Sequence, residues 1–189
     1  MERLKTNKPI NTRKLVLLAL LTAIVIILQL TSVIFPVYPF KLALVLVPIV
    51  VGAALIGPLA GLWLGGVFGF IVLVSSPDVP VFMTYDPLAT ILIILIRGLL
   101  SGFFAGVVYR LLEKKGKTLA VLCAAVICPI VNTGIFILGL FLFFGQIVGN
   151  IIDFFVAFIL INFLIELVIN IVLSPTIVRL VQYGQERRN

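Results

Sequence analysis

Arg97 is the residue of this sequence whose chemistry most needs an explanation. It lies near the middle of residues 88–111, a stretch long and apolar enough to cross a bilayer, which takes about 20 residues of α-helix. An arginine at that depth costs at least ~2.5–3.5 kcal/mol unless a polar group receives it. We therefore expect Arg97 to face the inside of a helix bundle, towards a carboxylate, a wet cavity or an anionic ligand.

Further polar side chains lie in the two apolar stretches that follow. Asn132 falls near the middle of residues 119–144, and Asn162, Glu166 and Asn170 recur every four residues within 151–181, on one helical face. An Arg97–Glu166 pair can be purely structural, with a modest net effect on stability. Alternatively, amides and a guanidinium at one depth can hold a small polar molecule that carries a carboxylate. The sequence leaves both interpretations open.

The second interpretation defines a set of candidate binding residues. It adds Thr133, which is next to Asn132, and Phe70, an aromatic residue near the glycine-rich third stretch. It also adds Tyr85, which lies in an outer loop that can close over the site. The candidates are Arg97, Asn132, Thr133, Asn162, Tyr85, Phe70 and Glu166.

Residue types also exclude several chemistries. The chain has no histidine, which removes Ser-His and Cys-His catalysis and histidine-ligated metals. Its cysteines, Cys123 and Cys128, point to different sides of a helix, so we interpret them as packing residues. Residues 116–118, Gly-Lys-Thr, lack the earlier glycine of a P-loop, because position 111 is leucine. We expect no cofactor, no metal and no ATP site in this chain.

Composition identifies the class of protein. Of the 189 residues, 62% are hydrophobic and 11% are charged, whereas a soluble domain is roughly half apolar and a quarter charged. All lysines and arginines except Lys41 and Arg97 fall in three clusters at the ends of apolar stretches, within residues 3–14, 110–117 and 179–188. This is the pattern of positive-inside topology rather than of nucleic-acid binding.

The sequence therefore predicts an all-α integral membrane protein, one compact bundle of six transmembrane helices with both termini cytoplasmic. Residues 1–13 form a basic cytoplasmic segment that runs into a full-length span rather than a cleaved signal. Residues 14–182 form the bundle, and residues 183–189 form a cytoplasmic tail. The predicted spans are 14–35, 42–56, 59–74, 88–111, 119–144 and 151–181.

Small residues mark where these helices approach one another. Glycine recurs every four residues over 57–69 and again over 98–106, so two neighbouring helices each carry a stripe without side chains. These stripes predict a closely packed helix pair. Ala19 and Ala23 form a similar small face on the first span, suited to a helix of this chain or of a partner.

Several of these segments together resemble the S component, the substrate-binding subunit, of energy-coupling-factor (ECF) vitamin importers. The resemblance covers about residues 14–182. It rests on the alanine pair of the first span, the run LVPIVVGAALIGPLAGLWLGGVFG at 46–69, IRGLLSGFFAG in the fourth span and PIVNTGIF at 129–136.

The resemblance implies a non-enzymatic subunit of the bacterial plasma membrane. It implies that Ala19 and Ala23 dock on a membrane coupling subunit driven by two ATPase subunits, and that the binding site opens outward between spans 4–6 and the outer loops. Residues 46–69 and 129–136 look more like the pantothenate branch than the riboflavin branch. Rival interpretations are an S component for riboflavin or another vitamin, a small intramembrane enzyme acting on lipid through Glu166 or Asp153, and an ion-coupled carrier.

Overall fold

The structure is a computed structural model that describes residues 12–34, 44–148 and 151–186. Within these ranges the chain is entirely helical, without strands, and its apolar helices form an integral membrane bundle. The helices are α1 (Thr12–Ile34), α2 (Leu46–Leu55), α3 (Pro58–Ser75), α4 (Val79–Met83), α5 (Pro87–Leu112), α6 (Lys117–Val148) and α7 (Ile151–Glu186). Most of the predicted N-terminal segment and the last three residues of the predicted tail lie outside the described residues.

The helices differ in length relative to the membrane. Five of them, α1, α3, α5, α6 and α7, are long and apolar enough to cross a bilayer. The predicted second span corresponds to α2, which has 10 residues and is about 15 Å long, half the thickness of the hydrocarbon core. Helix α2 packs against α1, α3, α5, α6 and α7. It is therefore a central helix of the bundle, with most of its side chains buried.

A sharp turn joins α2 to α3. Gly57 adopts a φ of 131°, which side chains rarely tolerate, and Pro58 begins α3, where its missing N–H costs no helical hydrogen bond. The guanidinium of Arg110 in the last turn of α5 lies against Gly57, where a Cβ atom would meet it. Gly57 and Pro58 thus form a tight turn between the two helices.

The two glycine stripes pack face to face between α3 and α5. A Cβ atom on Gly65 would meet the carbonyl oxygen of Gly98, and a Cβ atom on Gly61 would meet that of Gly102. At the C-terminal end of the α3 stripe, a Cβ atom on Gly69 would lie 2.8 Å from the carbonyl oxygen of Ile94. Backbone thus lies directly against backbone over several turns, and the predicted close helix pair is confirmed.

The short helix α4 lies in the connection between α3 and α5, which the sequence analysis assigned to an outer loop. Pro80 falls in its first turn, where proline is tolerated, and the helix ends after five residues. Asp86 then caps α5, because its Oδ1 accepts a hydrogen bond from the backbone N–H of Ala89 at 2.9 Å. This connection brings α4 against the N-terminal half of α5.

Candidate ligand-binding site

Arg97 lies ten residues along α5 from Pro87, about 15 Å from the start of that helix. Its guanidinium carbon lies 4.5 Å from the centre of the Phe136 ring of α6, within the range of a cation–π contact. Burial places the guanidinium in the interior between α5 and α6. The prediction that Arg97 faces the inside of the bundle is confirmed.

A carboxylate and an amide accompany this cation. Glu166 of α7 is its main electrostatic partner, and Asp78, at the start of α4, is a weaker one. The side-chain amide of Asn132 on α6 hydrogen-bonds the Glu166 carboxylate. Arg97, Asn132 and Glu166, which we call the polar cluster, therefore come together from α5, α6 and α7.

The polar cluster is only partly satisfied by the protein itself. Arg97 Nε, Asn132 Oδ1 and Glu166 Oε2 are all buried without a hydrogen-bond partner among the described residues. Each such atom costs about 1–3 kcal/mol. The first is a donor carrying positive charge and the other two are acceptors. The cluster is thus chemically suited to a small molecule that has an anionic group and hydrogen-bond donors.

Aromatic rings cover the polar cluster on the side of α4. Phe82 of α4 makes edge-to-face contacts with Phe136, at 6.3 Å between ring centres, and with Phe144, at 5.5 Å. Ala89, Ile93 and Leu140 complete this small apolar core. Phe136 therefore touches both the guanidinium and the helix that covers it.

The other candidate residues occupy different environments. Thr133 is buried beside Asn132, and Asn162 lies on α7 one turn from Glu166, partly buried and with an interaction partner. Tyr85 and Phe70 are 58% and 56% exposed, so the structure does not bring them into the polar cluster.

Ala19 and Ala23 are both exposed on α1, whose buried face consists of Leu21, Val25 and Gln29. The alanine pair therefore does not pack within the described part of this chain.

Phe136 was not among the predicted site residues, and no binding role was predicted for Asn170. Phe136 follows Asn132 by four residues and Asn170 follows Glu166 by four, so helical spacing alone places each on the face of a candidate residue. Among the described residues, no group of acidic, histidine or cysteine side chains is placed to hold a metal ion.

Comparison with known proteins identifies the family. The chain matches the family described as ECF transporter, substrate-specific component, over residues 13–178. No curated protein gives a match. The matched region contains α2 to α6, almost all of α1, most of α7 and the whole polar cluster. The chain therefore belongs to the ECF transporter substrate-specific component family and is a multi-pass membrane subunit of such a transporter.

Proposed function

We propose that the chain binds a small carboxylate-bearing vitamin, with pantothenate as the favoured ligand, in the polar cluster. Arg97 holds the carboxylate, while Asn132 and Glu166 accept hydrogen bonds from hydroxyl and amide groups. The vitamin enters from the outside of a bacterial plasma membrane and is delivered inward. The chain itself acts by binding and carrying, not by catalysis.

One observation supports this proposal above all: the buried guanidinium of Arg97 has an unpartnered Nε beside unpartnered acceptors of Asn132 and Glu166. Pantothenate carries a carboxylate at one end and hydroxyl groups at the other, with an amide between them. Its anion complements the guanidinium, and its hydroxyl and amide hydrogens complement the acceptors. The apolar parts of the vitamin would lie against rings such as Phe136.

A second candidate follows from the attraction between Arg97 and Glu166. If these two charges neutralise each other in the bound state, the site suits a neutral ligand that carries many hydroxyl groups. Riboflavin is such a vitamin, and its donors would meet the same acceptors of Asn132 and Glu166. The two candidates differ in how much each depends on the charge of Arg97.

The partners follow from the family. An ECF transporter combines a substrate-specific subunit with a membrane coupling subunit and ATPases, and this chain would dock through the exposed Ala19 and Ala23 of α1. Small residues let two helices approach closely, which supports docking of a partner helix there. The basic clusters at 110–117 and 179–188 support an orientation with both termini in the cytoplasm.

The test begins with protein purified in detergent from cells. Mass spectrometry of the extracted solute and titration with pantothenate and riboflavin identify the ligand. Arg97→Ala is expected to weaken pantothenate binding about ten- to hundredfold, as expected for a charge-assisted hydrogen bond worth about 1.5–3 kcal/mol. Arg179→Ala, at an exposed arginine of α7, is the matched control and should bind as the wild type does.

The outcomes separate the candidates. Riboflavin binding that survives Arg97→Ala would favour the neutral vitamin. Equal pantothenate affinities of Arg97→Ala and Arg179→Ala would refute the proposed site. Recovery of phospholipid alone, with no vitamin bound, would favour the intramembrane enzyme instead.

A further inference from the structure

A second layer of polar side chains lies one helical turn inward of the polar cluster. Ser101 follows Arg97 by four residues on α5, Cys128 precedes Asn132 by four on α6, and Asn170 follows Glu166 by four on α7. The helix directions place all three on the side towards the basic loop at 113–118. We call Ser101, Cys128 and Asn170 the inner tier.

The inner tier is more deeply buried than the polar cluster. Ser101, Cys128 and Asn170 are each 0% exposed, whereas Arg97 and Glu166 are only partly buried as whole residues. Three polar groups at equivalent depth on three neighbouring helices are costly in the interior of a membrane protein. The arrangement therefore calls for a partner or a function.

Hydrogen bonding leaves one strong acceptor of the inner tier free. Asn170 Nδ2 donates to the backbone carbonyl of Glu166 at 2.9 Å, which fixes the orientation of the amide. Asn170 Oδ1 is buried without a partner. The hydroxyl of Ser101 donates to the carbonyl oxygen of Gly98 at 2.9 Å, and Ser101 also lies within hydrogen-bonding reach of the Cys128 thiol, so Asn170 Oδ1 is the acceptor that remains.

We propose that the inner tier is a second subsite of the same binding site, in which Asn170 Oδ1 accepts a hydrogen bond from a hydroxyl or amide N–H of the ligand. This inference rests on the proposed function in one respect, that a polar small molecule occupies the polar cluster. One helical turn separates the two layers along the bundle, about 5.4 Å. The ligand therefore carries its donor at about that distance or more from the group that Arg97 holds, which excludes a carboxylate as short as acetate.

Substitution of Asn170 separates a binding role from a structural one. Asn170→Leu replaces the amide by an apolar side chain of similar size, and Asn170→Ala removes it. If Asn170 serves the ligand, the unliganded Asn170→Leu protein unfolds at the same or a higher temperature than the wild type, because an unpaired buried acceptor has been removed. Ser174→Ala is the matched control, since Ser174 is buried one turn further along α7 and donates to the carbonyl of Ile171.

Binding is measured by titration with pantothenate. Both Asn170 variants should weaken it by roughly five- to hundredfold, since a ligand donor would be left unsatisfied, while Ser174→Ala stays within about twofold. The titration is repeated with the two single-deoxy analogues of pantothenate and with the analogue methylated on the amide nitrogen. For one of the three analogues, the Asn170 substitutions should no longer change the affinity, because that analogue lacks the donor that Asn170 would accept.

Two results would overturn the inner subsite. One is a binding result: the Asn170 substitutions weaken the binding of all three analogues as much as that of pantothenate, or they weaken pantothenate binding no more than Ser174→Ala does. The other is a lower unfolding temperature of the unliganded protein for both Asn170 variants, which would assign Asn170 to the fold. If the wild type binds no pantothenate, the proposed vitamin is wrong. The variants are then compared for retention of the solute that mass spectrometry finds in the wild type, which tests the inner subsite independently.

Discussion

The contact between the glycine stripes makes a quantitative prediction about a single methyl group. In Gly65→Ala the added Cβ would overlap severely with the carbonyl oxygen of Gly98, and neither backbone can yield locally. Helices α3 and α5 must therefore separate until the contact reaches an ordinary 3.4–4 Å. Gly134→Ala is the matched control, because Gly134 lies inside α6 and a Cβ atom there meets nothing within 4 Å.

The expected magnitudes follow from two opposing effects. Overpacking costs typically 1–3 kcal/mol, whereas exchanging glycine for alanine within a helix gains about 0.5–1 kcal/mol. Gly134→Ala shows only the gain and Gly65→Ala shows both, so the two variants should differ by about 1–3 kcal/mol. At roughly 2–4 °C per kcal/mol for a chain of this size, the difference in unfolding temperature is about 2–12 °C. Gly69→Ala should fall between them, since its Cβ would lie 2.8 Å from an oxygen.

Thermal unfolding in detergent measures this series. The single tryptophan, Trp63, lies on α3 and donates a hydrogen bond to the Thr22 hydroxyl of α1, so its fluorescence reports on the helix that must move. Because Gly98 is the neighbour of Arg97, separation of the helices should also weaken vitamin binding. Equal unfolding temperatures for Gly65→Ala and Gly134→Ala would refute the close backbone contact.

Three further predictions concern the cap, the ring and the docking face. Asp86→Ala should lower the unfolding temperature by a few degrees, since loss of an N-cap costs about 1 kcal/mol. In the same melting assay, Asp86→Asn should unfold close to the wild-type temperature, because asparagine also caps helices. Phe136→Leu should weaken vitamin binding severalfold in titrations by removing a cation–π contact worth about 0.5–2 kcal/mol, whereas Phe136→Trp should not. Ala23→Trp should abolish co-purification with the coupling module while vitamin binding persists. The control Leu164→Trp, on the exposed face of α7, should leave co-purification and vitamin binding intact. Equal co-purification of the two variants would show that Ala23 has no docking role.

Much of the fold was predictable because the relevant signals are strong and local. Glycine at every fourth position of two neighbouring apolar stretches favours close approach of the helices. Arg97 was expected to face inward because lipid offers a guanidinium no partner. These predictions depend on residue type and spacing alone, and the structure confirms each of them.

The length of α2 and the presence of α4 were not predictable in the same way. Residues 42–56 are continuously apolar, so hydropathy cannot show that the helix begins only at Leu46. Helix α4 has five residues, too few to display a helical period. Likewise, the aromatic character of Tyr85 and Phe70 does not reveal whether a ring faces the site or the surroundings of the bundle.

The polar cluster lies between three parts of the bundle, the helices α5, α6 and α7. Arg97 belongs to α5, which packs extensively against both α3 and α6, whereas Asn132 belongs to α6 and Glu166 to α7. Lipid supplies no hydrophobic force that presses these parts together, so packing and polar contacts must hold them. A ligand that bridges Arg97 to the acceptors of α6 and α7 therefore adds to the association of the helices. Its affinity should appear directly as thermal stability, rising with the logarithm of ligand concentration above the dissociation constant.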